Sequence, residues 1–284
     1  MRTLVHMSDL HFGRVDAAVV APLSDLIARI SPDLLVVSGD LTQRARSAEF
    51  IAARAFLDTL PFPRIVVPGN HDISLHNLFD RFLRPLAKFK RYITADLQPF
   101  YSDDEIAVAG VNTARSLTIK DGRINHAQIT QVRARLDSVP ADRIKVIVTH
   151  HPFDLPEQYD RQDLVRRAPA ALETFAGCGA DLLLAGHLHT SHAGTTAERY
   201  PISGFTALVV QAGTATSTRA RGETNSFNVI RITSTHITVE RYAWASGSST
   251  FKIAKSTSFT RQGERWMPHA SDGPTGTDPD GAAF

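Results

Sequence analysis

Short apolar runs alternate with segments of helical periodicity along the first two thirds of the chain. Runs rich in Val, Ile and Leu predict strands at residues 3–7, 34–38, 65–67, 106–111, 144–149, 182–185 and 207–211. Apolar residues at helical spacing predict helices at residues 19–30, 48–60, 127–139 and 168–178. This alternation is typical of a layered α/β domain.

The pattern changes from about residue 207, where one strand follows another. NVIRITSTHITVERYAW predicts a hairpin that turns at Ser234 and Thr235, and FKIAKSTSFTR predicts a further strand at a sheet edge. These strands suggest a second sheet packed on the first. We therefore expect one domain over residues 1–267, and a disordered tail over residues 268–284, which carry almost nothing to bury.

Composition and charge narrow the class of protein. The 284 residues are 43% hydrophobic and 21% charged, which is typical of a globular protein that buries a core. Apolar runs fall well short of the roughly 20 residues that cross a bilayer, and the N-terminus lacks a signal-peptide pattern. The single cysteine, Cys178, excludes an intramolecular disulfide, so we expect a cytoplasmic protein. A net charge of +2 argues against a dedicated nucleic-acid partner.

Polar side chains follow five of the predicted strands at the same relative position. The segments are SDLH at 8–11, SGD at 38–40, PGNHD at 68–72, THH at 149–151 and AGHLH at 185–189. Because the carboxyl ends of parallel strands meet along one rim of an α/β sheet, we expect these side chains to converge. Ordinary turn composition explains the glycines and aspartates there, but not the histidines.

Carboxylates and imidazoles crowded onto one rim favour a bound cation. They would repel one another unless a cation lay among them, and hard oxygen with imidazole nitrogen suits a first-row divalent metal. Asp9 and His11 are two residues apart at a strand end, as are His187 and His189, so each pair is expected to face one small volume. The spacing therefore predicts two metal ions, with Asp40 as the carboxylate that bridges them.

The ordered set of motifs resembles a known family. DxH at residues 9–11, GD at 39–40, GNHD at 69–72, His150 and GHxH at 186–189 resemble the calcineurin-like metallophosphoesterases, and within them the bacterial cyclic-nucleotide-phosphodiesterase-like branch. The resemblance implies the metallo-dependent phosphatase fold, an α/β/β/α sandwich of two packed mixed sheets flanked by helices. It implies two ions of manganese, iron or zinc. Their ligands would be Asp9, His11, Asp40 and His189 for one ion, and Asp40, Asn70, His150 and His187 for the other.

The resemblance also places His71 near the leaving group of a phosphate ester. We expect His71 to act as the general acid and Asp72 to orient its imidazole through a hydrogen bond. Two ions about 3.5 to 4 Å apart would supply a bridging hydroxide near neutral pH, which attacks phosphorus in line. His151 matches no ligand position, so a structural or supporting role is expected for it.

Residues that would select the substrate are harder to predict. Asn112 and Arg115, in GVNTAR, follow a predicted strand; Arg115 is a candidate to grip a phosphate oxygen, although a surface ion pair is the alternative. The segment 74–93 mixes Phe and Tyr with Arg and Lys. It predicts either a helix with one core face and one solvated face, or a cap that contacts an anionic substrate or an anionic membrane surface.

The C-terminal strands offer a possible dimer contact. They carry Lys252, Lys255, Arg261, Arg265 and Trp266. Such an edge is suited either to pairing in a homodimer or to protection from aggregation by its charges.

Together these inferences predict a metal-dependent phosphodiesterase that acts on a phosphate-ester substrate, with 3',5'-cyclic nucleotides as candidates. A second hypothesis is a phospholipase C-like or glycerophosphodiester hydrolase that acts on membrane-derived diesters. A non-catalytic scaffold is the third, since a fold does not guarantee activity. That hypothesis requires a full set of predicted ligands and a candidate acid to persist without use.

Overall fold

A computed structural model of the chain describes residues 1–74, 78–116, 121–155, 163–196, 205–219 and 222–269. The strands are β1 (Arg2–Met7), β2 (Leu34–Val37), β3 (Arg64–Val66), β4 (Phe100–Ser102), β5 (Ile106–Gly110), β6 (Ile144–Val148), β7 (Leu182–Ala185), β8 (His192–Thr195), β9 (Leu208–Gln211), β10 (Ser226–Ile232), β11 (His236–Ala245), β12 (Thr250–Gln262) and β13 (Arg265–Pro268). The helices are α1 (Ala17–Ile30), α2 (Ser47–Asp58), α3 (Leu78–Leu83), α4 (Ala87–Tyr92), α5 (His126–Asp137) and α6 (Ala168–Gly177).

These elements form two mixed sheets with helices outside them. Within the described residues, a seven-stranded sheet has the order β13-β12-β11-β10-β1-β2-β3, and a six-stranded sheet has the order β4-β5-β6-β7-β9-β8. Strands β1, β2 and β3 are parallel in the first sheet, and β5, β6, β7 and β9 are parallel in the second. The predicted fold class, two packed mixed sheets flanked by helices, is confirmed.

The unbroken apolar runs of the parallel strands arise because both of their faces are buried. In β2, Leu34 and Val36 belong to the core between the sheets, where they join Val146 of β6. Leu35 and Val37 point the other way, into the core under α1 and α2. A strand covered on both sides needs no polar face, so its sequence reads as a continuous hydrophobic run.

The strands after residue 207 do not form a separate sheet, contrary to the expectation. Strand β9 completes the six-stranded sheet, whereas β10 pairs antiparallel with β1 and places Ile230 opposite Leu4, so that both enter the core between the sheets. The predicted hairpin is present as β10 and β11. The predicted edge strand β12 lies at the edge of the sheet over most of its length, but β13 pairs with its last residues and makes that end an inner strand. Residues 270–284 of the predicted tail lie outside the described residues.

The basic aromatic segment after β3 forms two short helices separated at Pro85 instead of one amphipathic helix. Helix α4 belongs to the core, since Phe89 is fully buried and Tyr92 stacks on Phe50. Helix α3 is different, because Phe79 and Phe82 are 58% and 52% exposed. Residues 75–77 of the segment lie outside the described residues. No helix in the described ranges combines the length and apolar character needed to cross a bilayer.

Candidate metal centre

The predicted ligands meet along the rim formed by the carboxyl ends of the parallel strands. Donor atoms of Asp9, His11, Asp40 and His189 all lie within 4.8 Å of one another, and we call these residues the first cluster. The second cluster consists of Asn70, His150 and His187. The Asn70 side-chain oxygen is 3.1 Å from His150 Nε2 and 3.2 Å from His187 Nδ1. The structure thus brings all seven predicted ligands together, although they come from both sheets.

Distances in the first cluster match those between ligands of one ion. His189 Nε2 is 3.1 Å from Asp9 Oδ1 and 3.3 Å from His11 Nε2, and His11 Nε2 is 3.5 Å from Asp9 Oδ1. Atoms bonded to a common ion at about 2.1 Å, with tetrahedral or octahedral angles, lie about 3 to 3.4 Å apart. Asp9 Oδ1 is buried and has no hydrogen-bond partner within the described part of the chain. A carboxylate oxygen left in this way beside two imidazole nitrogens fits a cation.

Asp40 stands between the two clusters. Its Oδ2 atom is 3.4 Å from His150 Nε2 and 3.9 Å from His11 Nε2, so one carboxylate oxygen faces a histidine of each cluster. Its other oxygen, Oδ1, accepts a hydrogen bond from the His71 backbone N–H at 2.8 Å. This is the arrangement needed for a carboxylate that bridges two ions.

Backbone carbonyls fix the direction of two imidazoles. His150 Nδ1 is 2.8 Å from the Ser38 carbonyl oxygen, and His189 Nδ1 is 3.2 Å from the Arg219 carbonyl oxygen. A carbonyl only accepts, so each Nδ1 carries a hydrogen, and a ring without a second proton turns its Nε2 lone pair into the site. Such support is typical of histidines that bind metals.

Protonation in the second cluster depends on Asp40. Burial alone would lower the pKa of His150, but the adjacent Asp40 carboxylate outweighs it and raises that pKa to about 9. Burial, reinforced by the charge on His150, lowers the pKa of His187 to about 3. A proton on His150 competes with a metal ion for the same nitrogen, so metal affinity should increase as the pH rises.

Five of the predicted ligands have left-handed backbone conformations. Their φ angles are 54° for Asp9, 48° for His11, 52° for Asp40, 80° for His187 and 63° for His189. The pairs two residues apart therefore do not face one volume through strand alternation, as the sequence argument assumed. Each pair does so through a left-handed turn after the strand has ended. Non-glycine residues rarely adopt this conformation unless the surroundings enforce it, and such residues concentrate at functional sites.

Hydrogen bonds between the motif loops enforce these turns. The Asp9 N–H donates to the Gly39 carbonyl at 3.1 Å, and the His187 N–H donates to Asp9 Oδ2 at 3.0 Å. Glycine is required at the closest approach, because a Cβ on Gly69 would collide with the backbone and carboxylate of Asp40. These contacts between the loops fix the backbone positions of the predicted ligands.

The expected partnership of Asp72 with His71 is wrong. Asp72 accepts from the backbone N–H groups of Leu41, Thr42 and Gly69 and from the Thr42 hydroxyl, at 2.9 to 3.2 Å. It fastens the loops after β2 and β3 together. The His71 imidazole is held instead by the Gln43 carbonyl oxygen, 2.8 Å from Nδ1. A carbonyl is invisible to a search for polar side chains, which explains why the sequence argument missed it.

The predicted substrate residues Asn112 and Arg115 lie in a groove beside the rim. The groove has a volume of about 430 Å³, and its walls include Ile73, Leu86 and Arg84. Arg115 donates to the carbonyls of Asn112 and Ala114 at 3.1 and 2.9 Å and to the Gln128 side chain. Its guanidinium thus fastens its own loop to α5, and within the described residues Arg115 forms no surface ion pair.

Two histidine contacts extend the site beyond the predicted ligands. His151 is fully buried, its ring centroid is 4.5 Å from that of His187, and its Nδ1 is 2.9 Å from the Thr113 hydroxyl. Arg219 was missed: its guanidinium Nη1 is 3.0 Å from His71 Nε2. The sequence could have indicated Arg219, because it follows strand β9, which also ends at this rim. The sequence argument considered only strands that are followed by Asp, Asn or His.

Comparison with known proteins agrees with this geometry. The family match and the named relatives support a metal-dependent phosphoester hydrolase as the class of this protein. The profile of the family described as calcineurin-like phosphoesterase matches residues 2–191. The chain belongs to this family, which confirms the resemblance inferred from the motifs.

Two curated relatives are bacterial phosphodiesterases by name. The chain is 30% identical over 214 residues to the glycerophosphodiester phosphodiesterase GpdQ of Enterobacter lignolyticus, an alignment that covers 64% of this chain and 72% of the relative. It is 28% identical over 176 residues to a probable cyclic nucleotide phosphodiesterase of Rhodopseudomonas palustris, which covers 59% of this chain and 62% of the relative.

Solved structures share the fold at low sequence identity. A dimetal phosphatase from Danio rerio has a TM-score of 0.63 and 13% identity, covering 84% of this chain and 95% of that one. A purple acid phosphatase from yellow lupin seeds has a TM-score of 0.68 and 12% identity, covering 92% of this chain and 54% of that one. Both similarities concern the fold alone.

Proposed function

We propose that this chain hydrolyses phosphodiesters at a dinuclear metal centre. The observation that carries the proposal is the position of Asp40, whose single Oδ2 atom faces His11 of the first cluster and His150 of the second. One ion would be held by Asp9, His11, Asp40 and His189, and the other by Asp40, Asn70, His150 and His187. The donor set of oxygen and imidazole nitrogen suits manganese, iron or zinc.

Bound divalent ions would polarise the phosphoryl group and lower the pKa of a water molecule that attacks phosphorus. The protein's own contribution is to fix the ligands beforehand. The carbonyls of Ser38 and Arg219 hold the rings of His150 and His189, and the left-handed turns set the directions of the remaining side chains. His71 stands beside this centre, with its ring 4.9 Å from that of His11. Its predicted role as general acid toward the leaving group is part of the proposal.

The groove favours an organic group with an apolar face. Its walls combine Ile73, Leu83, Leu86 and Leu97 with the cationic Arg84 and Lys90. A volume of about 430 Å³ lies within the usual range for small-molecule sites. Apolar walls suit a nucleobase better than a glycerol group, so 3',5'-cyclic nucleotides are the first candidate substrates.

A glycerophosphodiester is the second candidate, and the similarity to GpdQ supports it. Glycerol has no apolar face, so such a substrate would not need the leucines of the groove. Leu83 is 66% exposed and lines the groove, so Leu83→Ser should raise the KM for a cyclic nucleotide and leave the KM for a glycerophosphodiester nearly unchanged.

The test is turnover by chelator-treated protein before and after reloading with Mn²⁺, Fe²⁺ or Zn²⁺. Substrates are cyclic AMP, glycerophosphocholine, phosphatidylcholine, bis(p-nitrophenyl) phosphate and the monoester p-nitrophenyl phosphate, each at matched metal content. We expect activity to vanish on chelation and to return on reloading, with diesters preferred over p-nitrophenyl phosphate. Metal uptake without turnover of any ester would support the scaffold hypothesis instead.

The cytoplasmic location, an anionic membrane contact and a homodimer stay predictions. Exposed Phe79 and Phe82 on α3 are the side chains that would meet a membrane surface. Trp266 is 1% exposed and donates to Asp181, so any pairing of C-terminal strands would have to use other residues.

A further inference from the structure

Arg219 contacts both sides of the metal centre. Its carbonyl oxygen accepts from Nδ1 of His189, which follows β7 in the six-stranded sheet. Its guanidinium Nη1 is 3.0 Å from Nε2 of His71, which follows β3 in the seven-stranded sheet. The Arg219 guanidinium is neither one of the predicted metal ligands nor part of the groove described above.

The segment that carries Arg219 is fixed to the loop after β1. The Ala215 N–H donates to the Ser8 carbonyl at 3.0 Å, and the Thr216 hydroxyl donates to the Leu10 carbonyl at 2.6 Å. The Arg219 N–H donates to the Ser217 hydroxyl at 3.1 Å. Since Asp9 and His11 lie in that same loop, the backbone of Arg219 and the first cluster form one unit.

The hydrogen-bond directions at His71 show which residue presents a donor. The Gln43 carbonyl can only accept, so His71 Nδ1 is the protonated nitrogen of the neutral ring. Nε2 then accepts, and the hydrogen between Nε2 and Nη1 belongs to Arg219. In this arrangement His71 positions the guanidinium. Its proposed role as general acid requires Arg219 to leave Nε2, and a proton to bind there, when the substrate enters the site.

Electrostatics indicate what this guanidinium is for. Divalent ions in the centre and the guanidinium of Arg219 would both attract an anion that lies between them. A phosphoryl group has the required charge, and the planar guanidinium matches two phosphate oxygens. The lone pair of His71 holds the guanidinium when no phosphoryl group is bound.

We propose that Arg219 binds a non-bridging oxygen of the substrate phosphoryl group, as a catalytic residue of the phosphodiesterase proposed above, on which this inference rests. In the reaction, a water molecule gives one proton to solvent, and the resulting hydroxide oxygen bonds to phosphorus as the bond from phosphorus to the ester oxygen breaks. The electron pair stays on the ester oxygen, which takes its proton from a general acid or from solvent. Arg219 keeps its own protons throughout and supplies charge and hydrogen bonds to an oxygen that remains on phosphorus.

The test compares Arg219→Gln and Arg219→Lys with Arg14→Gln. Arg14 is exposed, and its hydrogen bonds with the segment of Arg219, within the described residues, are made by its backbone carbonyl. Arg14→Gln therefore removes a nearby guanidinium without removing those contacts, which makes it a matched control. Binding of inorganic phosphate to manganese-loaded protein is measured by calorimetry. We expect affinity roughly 10- to 100-fold weaker for Arg219→Gln, partial retention for Arg219→Lys, and no change for Arg14→Gln.

Metal content and leaving-group dependence complete the test. Arg219→Gln should keep its metal, lose kcat/KM by a similar factor for aryl phosphodiesters with good and poor leaving groups, and regain part of the loss with added guanidinium ion. Unchanged phosphate affinity, or a loss explained by missing metal, would overturn the inference. A loss that grows steeply with the pKa of the leaving group would also overturn it, because the contact would then be with the leaving oxygen.

The phosphate measurement separates this inference from the proposed function. If the wild-type protein hydrolyses no ester, the proposed function fails on its own. Phosphate binding that still depends on Arg219 would keep the assigned contact, whereas equal binding by wild type and Arg219→Gln would remove it.

Discussion

The two ends of the sandwich differ in how their charged groups are satisfied. At the end where the parallel strands begin, Arg2 and Asp181 have partners within the chain. Arg2, at the start of β1, lies 2.8 Å from Asp103, 3.5 Å from Glu105 and 3.7 Å from Asp33. These acids precede β5 or β2, so the cluster joins both sheets.

Asp181, which precedes β7, is satisfied at the same end. One oxygen accepts from Trp266 Nε1 at 2.9 Å, and the other accepts from the Lys145 N–H at 2.9 Å. Arg261 lies 3.4 Å away. This carboxylate fastens β13 of one sheet to β6 of the other.

At the opposite end, the rim has buried polar atoms without partners among the described residues. Asp9 Oδ1 and His11 Nδ1 are buried without hydrogen-bond partners in the described part of the chain, and five of the predicted ligands have left-handed φ angles. The end where the parallel strands begin therefore stabilises the fold through contacts between its own residues. At the rim, the buried polar atoms and left-handed turns cost free energy of folding, and a bound cation would offset that cost. Substitutions at the two ends should therefore differ in whether metal alters their effect.

The largest effect is expected from Asp40→Asn at the rim. Loss of the bridging carboxylate should reduce metal content and lower kcat/KM about 1000-fold or more, because the charge that holds two cations is removed. In the wild type, metal at 100 times its Kd should stabilise the fold by about 2.7 kcal/mol. Added metal should stabilise the Asp40→Asn variant by much less than this. Elemental analysis and thermal unfolding with and without Mn²⁺ measure both effects.

Asp58→Asn, an exposed acid paired with Arg54, is the control for metal content and activity. Asp40→Asn protein that keeps two ions per chain and full activity would contradict the bridging role.

A smaller effect, independent of metal, is expected from Asp181→Ala. The indole N–H of Trp266 and the N–H of Lys145 would lose their acceptor, which should destabilise the fold by about 2 to 4 kcal/mol. Urea unfolding should give the same loss with and without Mn²⁺, while metal content stays at the wild-type value. If added metal restored the stability, the two ends would not be independent.

The smallest effect is a change in acid stability from Asp103→Asn. Partial burial opposes ionisation, but hydrogen bonds from the Glu105 and Ile106 N–H groups, from Tyr101 and from Arg2 lower the pKa of Asp103. An acid whose folded pKa lies below its unfolded value of about 3.9 stabilises the fold fully above that pH. Its contribution is lost as the pH falls through the lower, folded pKa.

The Asp103→Asn variant should therefore be less stable than wild type at pH 7, by about 1 kcal/mol or less, and the difference should shrink below about pH 4. Urea unfolding between pH 2 and pH 7 measures this. Asp104→Asn is the matched control, since the Asp104 side chain is 98% exposed. A deficit that persists unchanged at low pH would show that the Asp103 charge is not its cause.

Much of the architecture could be predicted from the sequence. The apolar runs marked the parallel strands because both faces of each strand are buried, and the polar residues after them marked the rim. The five segments that contain the seven predicted ligands were located in this way, since the strand-end rule depends only on local order along the chain, and the resemblance to a family then implied which of their residues would bind metal. The exposure of Phe79 and Phe82 on α3 and the inner position of β12 were not predicted, because nothing in their local pattern distinguishes them from other amphipathic or edge segments.

The sequence by itself determined which segments become strands and helices and which side chains lie at their ends, because periodicity and turn composition act within a few residues. Tertiary structure decided which strands pair: β10 joins β1, although more than 200 residues separate them, because their apolar faces complete one core. It also decided that the Gln43 carbonyl holds His71 in place of Asp72, and that Arg219 reaches the site. Such contacts depend on where two distant backbones pass each other, and no local pattern encodes that distance.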